Sequence, residues 1–225
     1  MLNLSSAAAA MLAAHGLALR GGLNFSSDEQ APARSVLLVG NVSGAVWPHF
    51  DRWRQLQPTD LANPLDTWSR QILESVAGEV GGRAVMPGDR PYHPFQQWAM
   101  RAERLRPSPL GILMHPVFGL WHAYRGALLL EEELDLPHVE AQNHPCDTCP
   151  GKPCLMACPF SAHSELGFDY PGCVAHLRTQ PTCLGACLDR NACPYAIEYR
   201  YPADLQRFLG SAFLAGAGTA TLGAR

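Results

Sequence analysis

Apolar positions along the first 130 residues change period from one stretch to the next, and each change predicts an element. Ser35 to Val42 (SVLLVGNV) is almost continuously apolar between polar flanks, the pattern of a strand buried on both faces. From Asn63-Pro64-Leu65-Asp66 onward the period becomes helical: Leu65, Trp68, Ile72, Val76 and Val80 recur every three or four positions and form one stripe that stops at Gly81-Gly82. Asn63 suits the cap, Pro64 the first helical position and Asp66 the positive end of the helix dipole. Arg83 to Met86 reads as a short strand. Pro94 opens a second helix, with Phe95, Trp98, Ala102 and Leu105 inward, Arg101, Arg104 and Arg106 toward water, and Pro107 and Pro109 as its end. At the N-terminus a helix of alanines and leucines is expected between a Ser5 or Ser6 cap and Gly21-Gly22, followed by a polar connector from Asn24 to Arg34.

Leu110 to His115 and Trp121 to Leu130, separated by PVFGL, predict a β-hairpin whose second strand alternates at first and then turns wholly apolar. Arg125 stands inside that strand and must either reach the surface or find an anionic partner, one of Glu131 to Glu133 or a ligand, because an unpaired buried guanidinium is costly. Trp47 and His49 follow the end of the Ser35 to Val42 strand, where ligands often sit; a packed Trp beside a surface His is the alternative. Glu131 to His144 is acidic and proline-containing, and reads as a domain boundary. The chain thus divides into 1–140, 141–210 and a small-residue tail at 211–225 whose last ten or so positions are expected to be poorly ordered.

At 225 residues and 47% apolar composition the chain can build one core of ordinary size and a small second module. A net charge of -3 supplies no basic field for nucleic acid. The first twenty residues lack a positive charge before Arg20 and their apolar run is broken at His15, unlike a secretory signal; no run approaches the roughly 20 apolar residues that span a bilayer. The expectation is a cytoplasmic protein, with no membrane partner.

The densest chemistry is the cysteine pattern. All eight cysteines fall between Cys146 and Cys193, as CDTCPGKPCLMACP, an isolated Cys173, and CLGACLDRNACP. Two groups that each close on Cys-Pro suit two [4Fe-4S] clusters, in which every iron takes one thiolate and the cysteine before proline ligates the other cluster. Cys146, Cys149, Cys154 and Cys193 are accordingly assigned to a first quartet, and Cys158, Cys173, Cys183 and Cys187 to a second. A disulfide framework fits poorly in a chain without a secretory signal, whereas structural zinc at two all-cysteine sites is a genuine rival.

Two resemblances follow from these segments. HPVFGLWHAYRGALLL, His115 to Leu130, resembles the hairpin of CblC-type cobalamin-processing proteins, and SVLLVGNVSGAVWPHF and NPLDTWSRQILESV stand in the same order as comparable stretches of that family. The resemblance covers roughly Val36 to Leu130. It implies a nitroreductase-like α+β fold, a sheet with flanking helices holding a corrinoid, with His115, Trp121 and Arg125 as cofactor-binding residues. The cysteine region, and CPFSAHSELGFDYPGCVAHL in particular, resembles the two-cluster module of epoxyqueuosine reductase, which implies a small bacterial-ferredoxin-like domain. It departs from that pattern where Lys152 and Pro153 lengthen the first loop, a change that leaves the ligands intact if the extra residues bulge outward, and where five residues instead of three lie between Cys187 and Cys193.

Together these imply an iron-sulfur redox protein that passes electrons from a ferredoxin- or flavodoxin-type donor through two clusters to a bound cobalamin, as a reductase or dealkylase. The alternative is a ferredoxin-like carrier that docks a partner enzyme and binds no corrinoid. A flavin in the N-terminal domain is a third reading, with no glycine-rich dinucleotide loop behind it.

Overall fold

The computed structural model describes residues 4–140, 142–164 and 166–219. Its elements in chain order are α1 (Leu4–Ala13), β1 (Ala18–Asn24), β2 (Ser35–Val42), α2 (Trp47–Arg54), α3 (Pro64–Val80), β3 (Arg83–Val85), α4 (Phe95–Ala102), β4 (Arg106–Pro107), β5 (Leu113–Met114), β6 (His122–Leu130), β7 (His163–Ser164), β8 (Gly167–Phe168), α5 (Tyr170–Thr179), α6 (Pro181–Gly185), α7 (Leu188–Asn191) and α8 (Ala203–Thr219). Single 3-10 turns lie at Pro145–Asp147, Pro153–Leu155 and Ile197–Tyr199. The protein is of mixed α+β class, with a small antiparallel sheet and flanking helices. No helix among the described residues is long and apolar enough to cross a membrane.

Two units divide the chain, and they interleave: Met1–Leu105 with His122–Gln142, and Arg106–Trp121 with Asn143–Arg225. The division after Gln142 falls close to the expected boundary at residue 140, but the segment Arg106–Trp121 belongs with the cysteine-bearing unit.

In the first unit the sheet order is β1-β2-β6-β3, all antiparallel. β2 is buried along seven of its eight positions, as its continuous apolar pattern requires of a strand flanked on both sides and covered on both faces. α3 packs on β3, β6 and α1, and every member of the predicted stripe (Leu65, Trp68, Ile72, Val76, Val80) is buried. Asn63 does sit at the helix start, but in a left-handed conformation and without a side-chain cap; its carbonyl takes the amides of Asp66 and Thr67 instead. α4 buries Phe95, Trp98 and Ala102, with Leu105 beyond its end, and stops at Ala102 before a left-handed Arg104, not at Pro107.

Two expectations, the end of α1 and the hairpin, fail here for identifiable reasons, and for Trp47 and His49 the alternative of a packed Trp beside a surface His holds. α1 ends at Ala13, and Gly21 and Gly22 lie inside β1, where a shift of register between Leu19 and Gly21 hides the alternation. Trp47 and His49 belong to α2, a helix in which only Phe50 is buried; His49 is exposed and Trp47 packs against Phe50 at 6.0 Å. The predicted hairpin does not form: β5 pairs with β4, while β6 pairs with β2 along its length and with β3 over Ala127–Leu129.

In the second unit, His115 and Gly119 pair across the PVFGL turn. Gly119 has φ +57°, and a Cβ there would stand 2.9 Å from the Ala196 Cβ and 3.0 Å from the Tyr195 carbonyl oxygen. A Gly119→Ala variant is therefore expected to lose about 1–2 kcal/mol from the left-handed backbone alone, with the contact adding to it, read as a lower urea midpoint for this unit. The expected loose tail from 211 is instead helical, since α8 runs to Thr219; the last six positions of that expectation lie outside the described residues.

Candidate functional site

Both cysteine quartets fall in the second unit, on short elements that leave the thiols where turns bring them. The 3-10 turn at Pro145–Asp147 carries Cys146, and its entry is pinned by His144, which is buried. His144 Nδ1 accepts from the Cys146 amide at 3.3 Å, so the ring hydrogen sits on Nε2, which donates to the Arg106 carbonyl at 3.1 Å. Cys154 rides the second 3-10 turn, reached through left-handed Gly151 and Lys152. Of the two added residues, Lys152 is exposed at the rim of the cysteine cleft and Pro153, half-buried, opens the turn. Between Cys187 and Cys193 the longer spacing is taken up by the single helical turn of α7.

Cys146, Cys149, Cys154 and Cys193 line one cleft, whose apolar wall includes Met114, Leu120 and Pro194. Cys154 and Cys193 are buried in the same hydrophobic cluster as Leu110, Met114 and Leu120. Burial pushes the Cys146 thiol up to about 11, with the charges of Cys193, Cys154 and Cys149 adding to it and Lys152 working the other way. Burial also raises Cys154, followed by Cys193 and Cys149.

The second quartet assembles around α5, which Asp169 caps by accepting from the Gly172 amide at 3.0 Å. Burial pushes its Cys173 thiol up to about 11, and the thiols that add to the shift are Cys187, Cys158 and Cys183. Cys183 Sγ lies 3.4 Å from His176 Nε2. Cys146 is thus electrostatically coupled to Cys149, Cys154 and Cys193, and Cys173 to Cys158, Cys183 and Cys187.

Among the described residues no group of three or more His, Cys, Asp or Glu side chains stands ready to hold a metal ion. A zinc site gathers four sulfurs at about 2.3 Å from one ion, whereas a cubane takes one thiolate at each of four irons and spreads them wider. The donor set of four thiols against an apolar wall fits a cubane; the grouping rests on the shared cleft and the thiols' mutual electrostatics.

The residues that the corrinoid resemblance points to are divided between the two units. Arg125 is in the first unit, half-buried; among the described residues it has no ion pair, and its Nε is buried without a hydrogen-bond partner. The salt bridge to Glu131 to Glu133 is absent, and Glu133 instead faces Arg34 at 3.9 Å. His115 and Trp121 are in the second unit. His115 stacks on Phe118 at 4.3 Å, and its Nδ1 accepts the amides of Val117 and Phe118, which holds the turn. Trp121 is fully buried, edge-on to Tyr201 at 5.5 Å, with the Arg190 guanidinium 4.8 Å above its ring and its own Nε1 without a partner.

Two polar assemblies escaped the sequence reading. Asp189, buried in α7, accepts from the Cys158 amide at 2.6 Å and from His163 Nδ1 at 2.7 Å. In the first unit Arg20, Glu103 and Tyr124 form a buried ionic cluster. Neither shows in local periodicity, since the partners are 21 to 83 positions apart; Arg20 inside an otherwise apolar strand was the one available signal. No protein-family model matches the chain, and no curated protein does.

Proposed function

We propose that this chain is a two-cluster iron-sulfur redox protein whose first unit takes the electrons onto a bound corrinoid. The observation that supports the redox part is the one cleft that Cys146, Cys149, Cys154 and Cys193 line together, with the electrostatic coupling of Cys173 to Cys158, Cys183 and Cys187 beside it. When bound, each cubane supplies one-electron transfer at a potential set by charge, hydrogen bonds to sulfur and solvent exposure. The chain's own part is to fix the corners and keep water away. His144 orients the Cys146 turn, Asp169 caps the helix bearing Cys173, and Leu110, Met114 and Leu120 cover the buried thiols of Cys154 and Cys193. The nitroreductase-like and ferredoxin-like identities of the two units belong to the same proposal.

For the corrinoid, support comes from the likeness of His115 to Leu130 to the cobalamin-processing hairpin and from the orphaned Nε of Arg125, a donor suited to an anionic group. An anaerobic titration of the iron-loaded protein with hydroxocobalamin tests it: a saturable shift of the corrin bands is expected. Arg125→Ala is expected to weaken that binding at least tenfold, the loss of one charge-assisted hydrogen bond of about 1.5–3 kcal/mol, with iron content unchanged. The second reading, a carrier that docks a partner enzyme and holds no corrinoid, is favoured by the covering of the Trp121 ring by Arg190, Arg200 and Tyr201. Absence of any band shift selects it.

A further inference from the structure

We propose that Asp189 is a positioning residue shared by both quartets, whose buried carboxylate fixes Cys158 and makes both centres harder to reduce. The inference rests on the two-cluster reading above. Asp189 is 1% exposed, the most deeply buried acidic residue in the structure's core. Its position in α7 is two residues after Cys187 of the second quartet and four before Cys193 of the first. One oxygen takes the Cys158 amide at 2.6 Å, tying the end of the Cys154 to Cys158 loop to α7. The other faces His163 Nδ1 at 2.7 Å, and the imidazole is itself held by stacking on Phe168 at 4.6 Å. An ionised carboxylate is acceptor-only, which suits two incoming N–H groups.

The charge reaches both sets of thiols. α7 starts directly after Cys187 and packs against the Pro153–Leu155 turn that carries Cys154, so the buried carboxylate stands between the two sets. A fixed negative charge beside a centre that must accept an electron disfavours the reduced form, and little solvent is present to screen it. By accepting the Cys158 amide, the carboxylate also withholds from nearby sulfur a donor that would ease reduction.

Asp189→Asn keeps an acceptor for the Cys158 amide and deletes the charge. In the iron-loaded full chain it is expected to retain iron and to move both midpoint potentials positive. The reduced-to-oxidised ratio at fixed potential should rise by about tenfold, equivalent to about 59 mV for a one-electron couple. His163→Phe preserves the stack on Phe168 but removes a donor from the carboxylate, and is expected to move the potentials the opposite way. Unchanged potentials in Asp189→Asn with full iron overturn the proposal and leave Asp189 a structural residue. Should Asp189→Asn lose iron, the sign of the His163→Phe shift decides, and a positive or absent shift overturns it. Wild-type protein that binds no iron fails the two-cluster reading instead, a different result from iron bound with no shift.

Discussion

Cys146→Ser is expected to halve the iron bound by the reconstituted protein, from about eight to about four per chain, because a cubane that loses one of its four thiolates is not held. The thiol it removes lies in the cleft with Cys149, Cys154 and Cys193, and its high-lying titration shows how strongly burial and those neighbours resist four free thiolates without a bound cation. Cys193→Ser is expected to have the same effect, although Cys193 is 47 positions away in the chain and next to the second group in sequence. The decisive comparison is between double variants. Cys146→Ser with Cys193→Ser should lose no more iron than either single change, whereas Cys146→Ser with Cys173→Ser should lose nearly all of it. Equal losses in the two doubles would break the crosswise assignment. Because ligation and folding are coupled in loops this short, Cys146→Ser should also loosen the unit that contains Arg106–Trp121, seen as faster amide exchange there. The sheet unit, whose core is Trp68, Trp98 and the β2 strand, is expected to keep its protection.

What could be read in the sequence was whatever is local. β2 and α3 declare themselves because each buries a pattern of a single period. α2 buries only Phe50 and so carries no stripe to recognise. β1 has two glycines and a register shift in its middle, which erases the alternation. The failed hairpin shows the limit most clearly. Proximity in sequence favoured pairing of the two strands, but β6 takes β2 along its length and β3 over Ala127–Leu129, partners 42 to 95 positions away, and β5 takes β4. The PVFGL turn consequently stays with the cysteine unit, held there by the Tyr195 hydroxyl on the Pro116 carbonyl and by Phe118 against Tyr199 at 5.1 Å. The resemblance in that stretch concerns residues that end in two different units, so His115 and Trp121 are read by their packing and Arg125 by its unmet donor.

Glu103→Ala is expected to destabilise the sheet unit by about 3–5 kcal/mol, the usual consequence of breaking a buried ion pair from one side. Arg20 and Glu103 have side chains only 2% and 11% exposed, with Arg20 Nε 3.3 Å from the carboxylate, and the Tyr124 hydroxyl donates to the same group. The Arg20 guanidinium also lies 5.3 Å from the centre of the Tyr124 ring. Removing the carboxylate therefore takes the counter-charge from a buried cation and the acceptor from a buried hydroxyl at once. The pair itself is no great source of stability. Burial raises the Glu103 carboxyl above its ordinary value of 4.5, despite the opposing pull of Arg20 and Tyr124. A raised acid in the folded state means that stability from this group is fully present below pH 4.5 and is lost as pH rises through the folded value. Glu103→Gln keeps an acceptor for Tyr124, should cost less than the alanine change, and should flatten the pH dependence of unfolding over that window. Replacing the whole cluster, with Arg20→Met, Glu103→Leu and Tyr124→Phe together, is expected to recover most of the loss, since well-packed apolar groups often match a buried ion pair. Urea unfolding followed through Trp68 and Trp98, both in this unit, reads all three variants. An alanine variant within about 1 kcal/mol of wild type would mean that water reaches the guanidinium and that the cluster is not the closed ionic core its burial describes.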